Sequence, residues 1–472
     1  MKAVEDLLKS ASDFMWGPWM LVLLLGTHVF LTVRLRLIQR YIPRGIRLSL
    51  RRTQEGAGEI SHFAALMTAM AATVGTGNLV GVSTAVAAGG PGAVLWMWLT
   101  GVFGISTKYA EAVLAIRYRV VRADGSVAGG PMYALERGLG QRWLGLLFAL
   151  FTVVASFGIG NMVQANSISS MLKETAQVPP EVSGMVMTAL VAIVILGGIR
   201  SIARVCGMLV PFMAGFYLLG CLSLLIMHAS TLPETVRLIL SSAFTGQAAV
   251  GGFLGAGMKE TLRFGIARGL FSNESGMGSA PIVAAAAQTK NPVRQALVSS
   301  TGTFWDTVVI CLVTGLVVVN SGRWQEGLDG AALTRSAFEF IPGVGPAILA
   351  VGLLTFVFST ILGWSYYGEK ACEYLVGSAA IFPYRCLWVV AVFVGAVVKL
   401  DVVWAFADIA NALMAVPNLV AVLLLSPVIV SLTRQHLWEG GLDAELATEA
   451  IATSEAQLPP ALTADVDDAS LR

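Results

Sequence analysis

The chain has 472 residues, 56% of them apolar and only 13% charged, whereas soluble domains average about 25% charged residues. That composition excludes a soluble globular protein and places the chain in a membrane. The 31 basic and 29 acidic residues leave a formal charge of +2, which provides no global field for nucleic acid or an acidic partner.

The five cysteines (Cys206, Cys221, Cys311, Cys372 and Cys386) sit in or beside apolar segments without paired spacing, so a disulfide framework is not indicated. They read as small core residues. His28, His62, His228 and His436 stand far apart and have no metal-binding companions, which argues against a zinc site or metal-assisted hydrolysis. Met1 to Ser12 carries both signs of charge, and the run Trp16 to Leu35 is too long for the core of a cleaved signal.

A spanning helix needs about 20 largely apolar residues. That length predicts eleven spans, near 16–36, 61–88, 91–118, 143–171, 184–200, 206–228, 245–265, 294–320, 344–375, 381–399 and 404–432. Gly89-Gly90-Pro91-Gly92 divides the second from the third. The segment from Phe271 to Ala287 is short and carries Glu274, so it reads as a re-entrant or interfacial piece. After the first span come Arg34, Arg36, Arg40, Arg44, Arg47, Arg51 and Arg52 with no acidic residue among them. By the positive-inside rule that loop is cytoplasmic and the amino terminus lies outside. Alternation then places Arg117, Arg119, Arg122, Arg200, Arg204, Lys290, Arg294, Lys370 and Arg434 inside. The tail from about Gln435 is acidic and poor in aromatics, and is expected to be unfolded and cytoplasmic.

Glycine makes up 50 residues, and two glycine-rich stretches look like broken helices: Ala71 to Asn78 in the second span and Gly251 to Gly257 in the seventh. Irregular backbone at membrane depth is tolerated only where it is buried in protein or lines a cavity. The two breaks lie five spans apart, and an odd offset turns equivalent helices over. This is the arrangement of inverted-repeat transporters. It resolves the chain into an outer segment at 1–15, a leading helix at 16–36, five-helix repeats at 61–228 and 245–432, and the tail at 433–472. Small-residue helix packing is the competing explanation for the glycines.

The chemistry of the first break favours binding. Unwinding at Gly75 and Gly77 frees N–H groups at a half-helix start, which attract a carboxylate, and carbonyls at a half-helix end, which attract a cation. Asn78 and Thr73 supply uncharged oxygens of the kind alkali cations take. The spacing GxGxxxG with no preceding strand excludes a dinucleotide site. In the ninth span, Ser359 and Thr360 offer hydroxyls to a cation and Trp364 offers a pocket wall; back-bonding to the helix and interfacial anchoring are the readings that sequence alone favours. Gln164, in a span unusually rich in polar residues, could bond an amino acid or join helices. Lys108 and Glu111, three apart near a span end, are expected to pair with each other. Asp306 is an intramembrane charge with no assigned partner.

Gly75-Thr76-Gly77-Asn78, Gly89-Gly90-Pro91-Gly92-Ala93-Val94-Leu95-Trp96-Met97-Trp98, Lys108-Tyr109-Ala110-Glu111, Gly129-Gly130-Pro131-Met132-Tyr133, Ala267-Arg268-Gly269-Leu270-Phe271-Ser272-Asn273-Glu274-Ser275-Gly276 and Gly363-Trp364-Ser365-Tyr366-Tyr367-Gly368-Glu369 occur in this order. Together they closely resemble the alanine or glycine:cation symporter family, over roughly residues 15 to 432. The resemblance implies an all-α LeuT-type 5+5 inverted repeat preceded by one extra helix. It also implies sodium-coupled uptake of alanine, in either hand, or glycine across the cell membrane, with no cofactor beyond the co-transported sodium. Carried over by position, the backbone of Thr76 and Gly77 resembles the carboxylate cradle. Thr73 and Asn78 resemble ligands of one cation, and the Ala71 and Val74 carbonyls with Ser359 and Thr360 resemble a second cation site. Gln164, Phe253 and Trp364, together with Asn78, resemble the surroundings of the substrate. No matching pocket position is charged, which suits a zwitterion. The loop at Asn273-Glu274-Ser275 receives no chemical role.

A proton-coupled carrier on the same scaffold, with Asp306 or Glu274 holding the proton, is the alternative. A channel lacks a charge ring or carbonyl filter, and an enzyme lacks a nucleophile beside a base. Oligomeric state and lipid contacts are not encoded in these motifs.

Overall fold

The computed structural model describes residues 2–51, 56–123, 125–245, 257–328, 330–339, 343–398 and 401–445. Helices dominate it. Among the described residues seven are long and apolar enough to cross a membrane, or eight when one bent pair counts as a single span. These are Ser10–Arg34, Arg142–Ala176, Gly198–Met227, Pro292–Asn320, Val344–Val376, Ser378–Val397 and Ala407–Leu424, with the bent pair His62–Thr73 and Gly77–Gly89. Two further helices of the expected set are present but less apolar or shorter. Ala93–Arg117 turns Ser106, Thr107, Lys108 and Glu111 into the protein interior, and Pro180–Ile195 has 16 residues.

The helices that position the centre of the molecule are labelled α1 (His62–Thr73), α2 (Gly77–Gly89), α3 (Ala93–Arg117), α4 (Arg142–Ala176), α5 (Met258–Asn273), α6 (Ala280–Ala284), α7 (Pro292–Asn320) and α8 (Val344–Val376). Helix α1 starts where the Ser61 hydroxyl accepts from the Ala64 N–H at 3.1 Å, a standard N-cap. It stops at Val74, whose backbone leaves the helical region with ψ 96°. Helix α2 then leaves at a 56° angle. Glycine sets how closely the neighbours approach: a Cβ on Gly363 of α8 would lie 2.7 Å from the Ala72 backbone nitrogen. Only a residue without a side chain allows α8 to press against the end of α1 there.

A second discontinuity lies between α5 and α6. Glu274 takes φ 55° and Gly276 and Gly278 take φ 91° and 82°, so the chain turns out of helix over 274–279 before α6 begins. Left-handed backbone is unusual for glutamate. Of the two readings of Phe271 to Ala287, re-entrant or interfacial, the first is compatible with what is seen: Ser272 to Ala287 is buried in the protein and ends in a bridge between Ile60 and Ala287. Its apolar character reflects burial among helices, since Glu111 and neighbouring backbone satisfy its polar groups. The break expected at Gly251 to Gly257 lies, up to residue 256, outside the described residues, and so does Phe253.

The tail also differs from expectation in its first part. Residues 435–445 are folded: Leu437 and Leu442 are buried, Arg36 stacks over Trp438 at 4.4 Å, and Asn291 donates to Glu445 at 2.6 Å. Two buried leucines and these polar contacts outweigh the acidic composition over this short stretch.

Candidate functional site

Both breaks face the same central region. At the first, the Gly75 N–H donates to Asn78 Oδ1 at 2.9 Å, and the Asn78 N–H donates to the Gly75 carbonyl at 3.2 Å. The Asn78 side chain therefore reaches back to satisfy an N–H ahead of the second half-helix, as the returning arm of a capping box does. The first N–H groups of that half, at Thr76 and Gly77, have no partner within their own helix. Three segments of wider π-helical turn surround this point: Gly77–Gly81 in α2, Ser156–Met162 in α4 and Phe304–Cys311 in α7. Such turns are rare and concentrate at functional sites.

The Ala71 and Val74 carbonyls meet Ser359 and Thr360. Ser359 Oγ lies 3.2 Å from the Ala71 carbonyl oxygen and 2.8 Å from that of Phe356. Thr360 Oγ1 lies 3.4 Å from the Val74 oxygen and 2.9 Å from the same Phe356 oxygen. Each hydroxyl thus stands between a carbonyl of its own helix and a carbonyl of the first break, and none of these groups is charged. Hard, uncharged oxygens of this kind suit an alkali cation. Gly75 is needed here, because a Cβ on it would sit 2.7 Å from Thr360 Oγ1.

The other expected residues fall as follows. The Thr73 hydroxyl turns back onto its own helix, 3.3 Å from the Ala69 carbonyl and 3.4 Å from that of Met70. Asn78 Nδ2 donates to Asp306 Oδ1 at 2.8 Å, and Ser272 and Thr307 donate to Asp306 Oδ2 at 2.9 and 2.6 Å. Gln164 Nε2 donates to the Ile159 carbonyl at 3.0 Å. Its Oε1 is buried with no hydrogen-bond partner and lies 3.8 Å from where a Gly75 Cβ would be. An unmade bond on a buried amide is costly, which sets this oxygen apart from the satisfied Asn78 amide at the break. Trp364 is 1% exposed, and its indole donates to Glu274 Oε1 at 3.1 Å. On one side of the break Phe271 packs near Gly77 and borders a cavity of about 160 Å³, also lined by Trp16, Arg268 and Asp408.

The contacts of two intramembrane carboxylates are not visible in the sequence. Asp306 lies directly behind Asn78. Glu274, which the sequence offers only as an alternative proton holder, binds the Trp364 indole and also accepts from the Ser279 hydroxyl. The pocket positions themselves are uncharged, but carboxylates hold two of them from behind. The expected Lys108 and Glu111 pair does not form. Glu111 Oε1 instead accepts from the Gly276 and Gly278 N–H groups at 3.0 and 3.1 Å and from Asn418 at 2.6 Å, while Lys108 Nζ is buried without a hydrogen bond. The physical reason is that the unwound backbone of the second break presents donors the carboxylate must satisfy. Cys311 is not a remote core thiol either: its sulfur lies 3.3 Å from Asn78 Nδ2 and 3.2 Å from Ser272 Oγ.

Comparison with known proteins follows this geometry. Residues 1–445 match the model of the sodium:alanine symporter family. The sodium/alanine symporter AgcS of Methanococcus maripaludis is 49% identical over 91% of this chain and 96% of its own length. The probable sodium/glutamine symporter GlnT of Bacillus subtilis is 36% identical over 92% of this chain and 91% of its own. Among solved structures, a manganese transporter of Eremococcus coleocola superposes with a TM-score of 0.50 at 13% identity, covering 81% of this chain and 82% of that one. That last likeness concerns the fold alone.

Proposed function

Because the chain belongs to the sodium:alanine symporter family, we propose that it moves alanine or glycine into the cell together with sodium by alternating access at the first break. The observation that carries this reading is the convergence of the Ala71 and Val74 carbonyls with the Ser359 and Thr360 hydroxyls at the end of a broken helix. Sodium occupies that group of oxygens. The substrate carboxylate meets the N–H groups of Thr76 and Gly77, its ammonium meets the unpartnered Gln164 oxygen, and Trp364 closes the pocket. The second cation expected at Asn78 and Thr73 has less support, since Asn78 Oδ1 accepts from the Gly75 N–H and the Thr73 hydroxyl turns onto its own helix.

The first break and the stretch Gly251 to Gly257 are the equivalent points of two inverted five-helix repeats, 61–228 and 245–432, and the leading helix stands outside both. The arginine-rich end of the bundle faces the cytoplasm, the amino terminus faces outward, and the tail is cytoplasmic. Moving one sodium with a zwitterion carries one net charge, worth about 2.3 kcal/mol at 100 mV. A tenfold sodium gradient adds about 1.4 kcal/mol, so accumulation of a few hundred-fold is within reach. Alanine uptake into liposomes holding the purified protein should collapse when external sodium is replaced by potassium. Undiminished uptake would remove sodium coupling. Proton coupling through Asp306 or Glu274 is the second reading, favoured by the burial of both carboxylates at the site; it requires uptake that follows a pH gradient and ignores sodium.

A further inference from the structure

The Trp364 indole is fixed from three directions. A Cβ on Gly160 of α4 would lie 2.4 Å from Trp364 Cβ and 2.5 Å from Cγ, so the root of the side chain rests directly on a glycine. Tyr367 meets the ring edge to face at 5.5 Å. Glu274, from the second break, holds the indole nitrogen at 3.1 Å. Glu274 is itself held by the Ser279 hydroxyl, and its left-handed backbone aims the carboxylate inward. Gly160 and Gln164 lie four apart on α4, as do Thr360 and Trp364 on α8, so both pairs share a helix face. The ring's support is therefore one turn away from the proposed ammonium acceptor and from the proposed sodium ligand.

We propose that Gly160 and Glu274 set the size of the amino acid this protein accepts, by fixing how far the Trp364 ring stands from the first break. Neither residue touches substrate; both act through the indole and are positioning residues. The inference rests on the reading of Trp364 as the pocket wall. A methyl group at Gly160 has no room where the tryptophan is rooted, so it pushes the ring away from α4 and into the pocket that Trp364 is proposed to wall. The pocket shrinks. Loss of the Glu274 carboxylate releases the other end of the ring, and the pocket widens.

The two changes act in opposite directions, which a general loss of packing cannot do. The experiment measures sodium-driven uptake of glycine, alanine and 2-aminobutyrate into liposomes by the wild type and by Gly160→Ala, Glu274→Ala and Glu274→Gln. One methylene in a tight pocket is worth about tenfold or more in discrimination. Gly160→Ala is expected to raise the glycine-to-alanine uptake ratio about tenfold, and Glu274→Ala to raise the 2-aminobutyrate-to-alanine ratio by a similar factor. Glu274→Gln keeps an oxygen for the indole N–H and is expected to keep the wild-type ratios. Should Glu274→Ala fail to fold, the Gly160→Ala ratio alone decides. Uptake lowered equally for all three substrates in folded variants overturns the proposal. A wild type that shows no sodium-driven uptake of any of them overturns the transport reading instead.

Discussion

Thr360→Val should raise the sodium concentration for half-maximal alanine uptake by about ten- to a hundred-fold. The substitution keeps the shape of the side chain and removes one oxygen from the four that converge at the end of α1. Hydrogen bonds and similar contacts to a charged group are worth about 1.5–3 kcal/mol, and each 1.4 kcal/mol is tenfold in an equilibrium constant. The maximal rate at saturating sodium should change less, because the valine still fills the space beside Gly75. Thr360→Ser restores the oxygen and should restore the sodium dependence. Cys221→Ala is a suitable packing control, being buried beside Tyr217 and away from both breaks; Cys311 is unsuitable because its sulfur touches Asn78. A valine variant that transports with unaltered sodium dependence would show these oxygens to be ordinary helix contacts.

The first break was legible because its signals are local. Gly75, Gly77 and Asn78 lie within one turn of each other, and a glycine pair followed by a capping side chain marks a helix that stops and restarts. Ser359 and Thr360 could be listed as cation candidates, yet sequence alone could not decide between a binding role and back-bonding to the helix. In the structure each hydroxyl bonds back to Phe356 and also reaches a carbonyl of the first break, the contact on which the proposed binding role rests. The break that spacing placed at Gly251 to Gly257 lies, up to residue 256, outside the described residues, and the turn at 274–279 was harder to find. Its glycines, Gly276 and Gly278, are interleaved with apolar residues that look like a short helix, and the turn begins on Glu274, a residue that seldom takes left-handed backbone. Nothing in residue spacing predicts that a glutamate three residues from a lysine will ignore it in favour of the main chain of a distant segment. Span counting meets seven long apolar helices among the described residues, or eight with the bent pair, and weakens at Ala93–Arg117, whose polar residues face inward. For the first part of the tail, composition pointed to disorder; Leu437 and Leu442 were the residues that mattered.

Glu111→Ala should abolish transport and lower the melting temperature in detergent by about 5–10 °C. Glu111 Oε1 accepts three hydrogen bonds, from the Gly276 and Gly278 N–H groups and from Asn418. Asn418 in turn donates to the Gly276 carbonyl at 2.8 Å, so one carboxylate on α3 ties the last long helix to the unwound segment. Removing it strands buried donors, each costing roughly 1–3 kcal/mol, and takes one compensating charge from the neighbourhood of the buried Lys108 ammonium. Domains of 150–250 residues lose about 2–4 °C per kcal/mol and larger chains lose less, which gives the range stated. Glu111→Gln separates the two contributions, since it retains an acceptor oxygen but not the charge. A melting point close to the wild type with transport lost would assign the charge to function; a fall approaching that of the alanine variant would assign it to stability. An alanine variant that melts with the wild type would mean that the backbone of the second break finds other partners, and the carboxylate would lose its place as the brace of that segment.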